Sequence, residues 1–443
     1  MVGGPRPVCG ASSRYPPRMP TVSPRARATV WFDRWGGIVP LLLGEFILWL
    51  GFGALLPVLP LYFTEQGVDL ALLGLVIAAW PAARLVGEPT FGWLADRTER
   101  VPLMVVGLLA TGVFSILPLA FSGPLAFIIL RAGSGLATSV YDPAARGYLT
   151  DATPPERRGE AFGLYGAAQM AGLLVGPAIG AFGAERLGGI TFVFVFGGVA
   201  AWLASIPIGL RAREGGKRTH PGPSTDATEF VPESPSLAQR AASDIATDAL
   251  PGDGARTPFR LRNRGFIAVL VINAGGHFAF GTYEVIWSLF LLHLGAGLDL
   301  IGLTFAISGL PVLLLSPYAG RLVDRRGALA FIVIGSILPA IVALAYTRIS
   351  DPLLTVPLIL IEVTGFAILG PALYAVVAAS SPAGRSSTAQ GIFGAAGTVG
   401  FIVASLLTGV VAETNIVYPF YVFSAVVVST LVIGLIIGGP RLT

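Results

Sequence analysis

The chain has a single cysteine, Cys9, and a single lysine, Lys217, among 443 residues. A lone cysteine excludes an internal disulfide, a cysteine-based zinc site and a cysteine-ligated iron–sulfur cluster. The three histidines, His220, His277 and His293, stand too far apart for a local metal motif. Charge is scarce as well. The 29 basic and 25 acidic residues make up 12% of the chain, about half of the ~25% usual in soluble domains. Many of these charges crowd into residues 1–35 and 212–264. So bare a remainder excludes a soluble globular enzyme, a disordered chain and a disulfide scaffold. The apolar segments carry no Ser/His/Asp or metal constellation, so no enzyme activity, catalytic residue, metal or cofactor is expected.

Apolar residues are abundant, at 54% of the chain, enough for twelve membrane helices of ~20 residues each. Long apolar stretches between short polar or Pro/Gly breaks predict spans at 36–63, 70–93, 101–121, 124–147, 160–184, 190–210, 265–293, 299–320, 328–347, 352–378, 386–412 and 416–438. The predicted class is an all-α polytopic membrane protein. Its parts are a tail (1–35), a six-helix bundle (36–210), a linker (211–264), a second six-helix bundle (265–438) and a short tail (439–443). Glycine and proline within the spans are tolerated in lipid, where neighbouring helices re-satisfy the backbone.

The net charge of +4 comes almost wholly from arginine. In a membrane chain this excess reads as topology, not nucleic-acid binding. With the N-terminus inside, most arginines fall on the inner side, and Arg186 and Arg348 fall outside. The positive-inside rule thus predicts cytoplasmic termini and linker. Residues 1–35 contain no apolar core of a secretory signal. They read as a disordered tail, or as lying partly upstream of a true start at Met19. Residues 236–250 have the pattern of a short surface helix within the Pro-rich linker.

The halves repeat at a constant offset of 228 residues. Gly92, Leu94, Asp96 and Arg97 match Gly320, Leu322, Asp324 and Arg325, and Pro143-Ala144 matches Pro371-Ala372. Pro154 and Arg157 match Pro382 and Arg385, while Gly163, Gly166, Gly67 and Gly74 match Gly391, Gly394, Gly295 and Gly302. Duplicated halves imply a pseudo-two-fold axis along the membrane normal and a site near the midplane between them.

On these residues the chain resembles the major facilitator superfamily. The loop Gly92-Trp93-Leu94-Ala95-Asp96-Arg97-Thr98-Glu99-Arg100 is similar to the family's GxLaDrxGrk signature, with Glu99 where the family has Gly. The copy Gly320-Arg321-Leu322-Val323-Asp324-Arg325-Arg326-Gly327 keeps that glycine. The resemblance implies latches between halves: Asp96 near Arg385 at the start of span 11, and Asp324 near Arg157 at the start of span 5. A helix N-terminus favours such a carboxylate. The other reading is that these are solvated topology charges. The resemblance further pairs Arg100 with Asp142. Their repeat equivalents, Ala328 and Gly370, are both uncharged. Gly172-Leu173-Leu174-Val175-Gly176-Pro177-Ala178-Ile179-Gly180 looks like the antiporter motif of proton-linked drug exporters. Glycines spaced by four permit close helix approach, and Pro177 introduces a kink; a generic small-residue packing face is the plainer alternative.

A charge at the bilayer centre costs ~2.5–3.5 kcal/mol on insertion scales. Arg131, in Arg131-Ala132-Gly133-Ser134-Gly135, resembles the family's span-4 motif linked to proton coupling, with Glu45 of span 1 as its expected partner. Glu284 and Glu362 are the other proton-coupling candidates, and Arg84 with Glu88 reads as a pair four apart on one helix. The family fold lines its cavity with spans 1, 4, 7 and 10, so Trp49, His277, Tyr283, Trp287 and Tyr374 are cavity candidates, as is Trp80.

The expected function is secondary transport by alternating access: proton-coupled efflux of small amphipathic, drug-like compounds by a monomer in the plasma membrane. Its partners are a small-molecule substrate, protons and the lipid bilayer, with no nucleic acid. The alternatives are a proton-coupled symporter or uniporter for a metabolite and, more remotely, a non-transporting membrane sensor.

Overall fold

The computed structural model describes residues 35–154, 157–212, 263–380 and 386–442. Among the described residues every regular element is helical. Spans 2 to 12 are Leu70–Ala95, Arg100–Ile116, Pro124–Asp151, Arg158–Arg186, Ile190–Arg211, Arg264–His293, Leu298–Arg326, Leu329–Tyr346, Thr355–Ser380, Ser386–Thr414 and Tyr418–Gly438. Span 1 is a bent pair, Val39–Leu55 and Leu59–Glu65, meeting at 41°. Pro57 and Pro60 explain the bend. Each lacks the N–H that would continue the ladder, so the helix breaks where two donors are missing three residues apart. Twelve apolar spans were predicted, and twelve are formed once this pair is taken as one.

Trp35, assigned to the tail on sequence, is buried in the core of the first half instead. The possible start at Met19, the 236–250 helix and Arg385 lie outside the described residues, and so does the side chain of Asp324.

The packing follows the 228-residue repeat. Span 1 packs on spans 5 and 6, span 2 on span 4, and span 3 on spans 4 and 6. The second half repeats each of these contacts with six added to every number. Across the halves, span 2 meets span 11 and span 8 meets span 5. At the first crossing a side chain at Gly74 would strike the Ser405 carbonyl, and at the second one at Gly302 would meet the Pro177 carbonyl. These residues are repeat equivalents, so both crossings exploit the same missing Cβ.

The two ends of the bundle differ. The linker end is where spans 1 and 7 begin and spans 6 and 12 finish. At the far end one continuous core joins both halves, with Tyr62, Phe63, Leu73 and Phe127 against Ala279, Trp287, Phe290 and Phe420. At the linker end there are two separate cores. Tyr141, Tyr148, Tyr165 and Ile208 belong to one half, and Phe266, Val323, Leu373 and Phe393 to the other. Gly163, Gly166, Gly391 and Gly394 have no neighbour within 4 Å of the place a Cβ would take. Among the described residues, the halves therefore touch at the far end and stand apart at the linker end.

Gly172, Gly176 and Gly180 face the backbone of span 1 at Phe46, Leu50 and Ala54. This glycine row packs within a half; it is Pro177, between them, that meets the other half at Gly302. Gly176→Val is expected to overpack span 1 against span 5 and to cost about 1–3 kcal/mol. In a thermal-unfolding measurement in detergent that variant should melt well below wild type, whereas Gly166→Ala, which faces open space, should melt with it.

Candidate functional site

A cavity at membrane depth opens among spans 1, 2, 3, 4 and 6, and Glu284 of span 7 also reaches its wall. Span 1 contributes Trp49, Phe52, Leu55 and Leu56, and span 2 contributes Trp80 and Arg84. Span 3 adds Thr111, Phe114 and Ser115, span 4 adds Arg131, Ser134, Thr138 and Asp142, and span 6 adds Phe194 and Gly197. Phe52 stacks on Trp80 with ring centres 5.7 Å apart, and Trp49 meets Phe52 edge-on at 5.4 Å. The glycines after Arg131 make this wall possible. A Cβ at Gly133 would collide with the Phe114 ring, and one at Gly135 with the span 2 backbone at Trp80.

The charges in the wall are paired. Arg131 Nη2 donates to Glu284 Oε1 at 3.0 Å, an ion pair joining span 4 to the opposite half. Their side chains are 10% and 13% exposed, so little solvent screens them. Arg84 binds both Glu88 and Asp142, and Arg146 lies 3.5 Å from Asp142 and 3.9 Å from Glu88. Trp80 lies beneath both guanidiniums, 4.6 Å from Arg84 and 5.9 Å from Arg131.

Two further carboxyl groups are buried away from any such pair. Glu45 is 0% exposed; Tyr141 Oη donates to one oxygen at 2.6 Å and Gln169 Nε2 to the other at 2.9 Å. Glu362 is 2% exposed and accepts from Tyr283 and, at 2.9 Å, from Tyr346. Around it lie Trp287, Phe290, Phe420 and Phe423 in mutual ring contact with those tyrosines. Among the described residues no basic side chain forms an ion pair with Glu45 or Glu362.

The family model for the Major Facilitator Superfamily matches residues 41–287 and 269–441. The chain belongs to the major facilitator superfamily. It is a multi-pass membrane transporter of small molecules. Multidrug resistance protein 2 of Bacillus subtilis (strain 168) is 26% identical to it over 388 residues, covering 86% of this chain and 90% of that one. Quinolone resistance protein NorA of Staphylococcus aureus is 30% identical over 165 residues, 36% of this chain and 42% of that one. The crystal structure of a bacterial homolog of the human lysosomal transporter Spinster, inward-facing and occupied, superposes with a TM-score of 0.69. It shares 15% identity and covers 94% of this chain and 97% of its own, which shows the fold.

Two pairings drawn from family resemblance differ here. Arg131 pairs with Glu284, not Glu45, because Glu45 sits at the level of Tyr141. Tyr141 is ten residues along span 4 from Arg131, roughly 15 Å of helix rise. Arg100 pairs with Asp151 at 2.6 Å and lies 3.7 Å from Asp96, not with Asp142. Asp151 is nine residues nearer the linker end, where Arg100 begins span 3, and the Arg100 guanidinium lies over Gly147, which has no side chain to block it. Asp142 is taken by Arg84 and Arg146 instead. The Arg84–Glu88 pair forms, with Asp142 as a third member.

Of the aromatic cavity candidates, Trp49 and Trp80 line the cavity. Trp287 is 2% exposed and donates to Thr304 in the core, so it is a packing residue. Tyr283 is held on Glu362, and His277 lies over Gly397 of span 11 with Nδ1 3.1 Å from the Asn273 carbonyl. Tyr374 packs on Phe393 towards the linker end, half exposed. Phe52, Phe114, Phe194 and the hydroxyls of spans 3 and 4 escaped the sequence reading, which looked to spans 1, 4, 7 and 10; Gly133, opposite Phe114, was the available signal. Asp96 is exposed with Arg100 as its ion-pair partner, Arg157 is exposed, and Arg97 stacks on Trp93 at 3.9 Å. A Cβ added at Gly92 or Gly320 would lie 3.7 or 4.0 Å from Pro143 or Pro371 of its own half, and Arg325 is exposed.

Glu284→Ala strands the Arg131 charge and is expected to cost about 3–5 kcal/mol. The double variant Arg131→Met, Glu284→Leu should recover most of that loss. A double-mutant cycle on thermal unfolding in detergent measures both.

Proposed function

We propose that this transporter exports small amphipathic, drug-like compounds in exchange for protons, from the plasma membrane with both termini and the linker cytoplasmic. The observation that carries the reading is the cavity itself. It has aromatic walls, lies at membrane depth and ends on an ion pair shared by the two halves. Flat apolar walls with a few fixed polar groups suit an amphipathic ligand. The relatives named for multidrug and quinolone resistance support the same substrate class, and the arginine excess on the linker side supports the orientation. In that orientation the conformation described above is inward-facing.

Glu45 and Glu362 are the proton carriers in this reading, with Arg131 and Glu284 coupling the cavity to the two halves. A carboxylate at membrane depth with no cation beside it is costly, and a protonated one is not. Each can therefore hold a proton while sealed and release it once water reaches it. The Tyr62–Phe420 core closes the far end, and residues of the Glu362 aromatic shell belong to that core. Opening the far end would admit water to Glu362. Latches made by Asp96 with Arg385 and by Asp324 with Arg157 close the linker end in the opposite conformation.

In everted membrane vesicles energised with an acidic lumen, adding substrate is expected to release the proton gradient. Glu45→Gln and Glu362→Gln should each abolish that release. A variant that exchanges protons at the wild-type rate removes its carboxyl from the mechanism. Absence of proton movement with every cationic or neutral compound sinks the antiport reading, and substrate-driven lumen acidification replaces it with symport.

A further inference from the structure

We infer that Phe280 of span 7 is the second half's wall of the substrate site: when the linker end closes, its ring stacks on a planar aromatic substrate lying against Phe52 and Trp80. This rests on the reading of the cavity as the substrate site and adds a specificity residue to it. The covering of span 7 fixes where Phe280 points. From Gly265 to Ser288 most of the helix is buried. The residues left open, Ile267, Val271, Ala274, His277, Phe280 and Glu284 among them, recur every three or four positions and so form one stripe. Glu284, nearest the far end, reaches the cavity wall and binds Arg131 of the first half. The stripe therefore faces the first half, not lipid. Phe280 is 51% exposed, the most open residue on it, and stands one helical turn nearer the linker end than Glu284, about 6 Å of rise.

The internal repeat points to the same place. Phe280 is the equivalent of Phe52, His277 of Trp49 and Phe366 of Thr138, and all three first-half residues line the cavity. A pseudo-two-fold axis along the membrane normal sets such equivalents at one depth, on opposite sides of the interface. The other second-half aromatics are spent or misplaced. Tyr283 and Trp287, equivalents of the wall residues Leu55 and Leu59, are held on Glu362 and Thr304. Tyr374 is the equivalent of Arg146, which is not part of the cavity wall. The rings of His277 and Phe366 buttress Phe280 at 5.6 and 5.5 Å, yet half of it stays open. Covering that surface is favourable, and an aromatic ligand adds the geometry of ring on ring. The Arg131–Glu284 pair ties the two walls together one turn away. Closure of the linker end about that contact brings Phe280 towards the cavity.

The test is a calorimetric titration of purified protein in detergent with two cations, planar aromatic ethidium and non-aromatic tetrapentylammonium. Phe280→Ala is expected to weaken ethidium about two- to tenfold, the worth of one aromatic pair, and to leave tetrapentylammonium unchanged. Phe280→Trp should keep the wild-type affinity for ethidium, and Phe52→Ala should weaken it. Wild-type ethidium affinity in Phe280→Ala with a loss in Phe52→Ala overturns the proposal and leaves the cavity as substrate site. So does equal weakening of both probes in Phe280→Ala. No binding of ethidium by wild type, or no loss in either alanine variant, overturns the cavity reading along with it. A second measurement is independent of affinity. In a Cys9→Ser background, Phe280→Cys in everted vesicles should react with a charged, membrane-impermeant maleimide, and ethidium should slow the reaction. No labelling, or labelling that ethidium leaves unslowed, overturns the proposal.

Discussion

An ion pair at membrane depth, Arg131 with Glu284, ties the two halves of this transporter together beside its cavity. In a medium that offers no water, each charge is tolerable because the other is there. The consequences spread outward from this point. The guanidinium needs a face to rest on, which Trp80 supplies, and Trp80 in turn stacks with Phe52 to form the wall. The helix bearing Arg131 has to come close to spans 2 and 3, which Gly135 and Gly133 allow. Separation of the halves at the far end would have to break this pair or move both its partners together.

Pseudo-symmetry holds the scaffold, and departures from it carry the chemistry. Helix contacts repeat from half to half, down to the glycines that accept a partner's carbonyl. At the four buried charges within the spans the repeat fails each time. Glu45 corresponds to Asn273, Glu362 to Ser134, Arg131 to Ile359, and Glu284 to Leu56. Gln169, which holds Glu45, corresponds to Gly397, and there the His277 ring lies over the backbone. The break in span 1 faces an unbroken stretch of span 7: where one half has Leu56-Pro57 beside the cavity, the other has Glu284-Val285. Packing between apolar helices depends on shape and spacing, which duplication preserves. Each buried charge stands in a single copy, because a second buried charge would need a second partner.

The spans, their number, their grouping and the family motif were legible in the chain because each depends on local properties: run length, glycine spacing and a fixed offset. The site was legible in part. Arg131, Glu45, Glu284 and Glu362 could be named as exceptional, since a charge in an apolar run is conspicuous wherever it folds. Their partners could not. Glu45 was expected beside Arg131 since spans 1 and 4 are neighbours, but helix neighbours leave the depth of each residue open, and about ten residues of rise separate the two. Trp287 and Trp49 look alike in sequence. One is sealed in the aromatic core and the other lines the cavity, because rotation about the helix axis decides which face a residue presents.

What the sequence determined by itself, then, was the solvent of this protein and its architecture: apolar runs long enough for a bilayer, arranged as two copies of one bundle. Those follow from hydrophobicity and repetition, which act along the chain. Only the tertiary structure decided that Arg131 answers to Glu284, that Glu45 and Glu362 rest on neutral donors, and that the cavity lies largely within the first half. Such facts depend on the vertical register and rotation of one helix against another. Those are set by small-residue contacts between spans far apart in sequence, where a missing Cβ at Gly74 or Gly302 counts for as much as any charge.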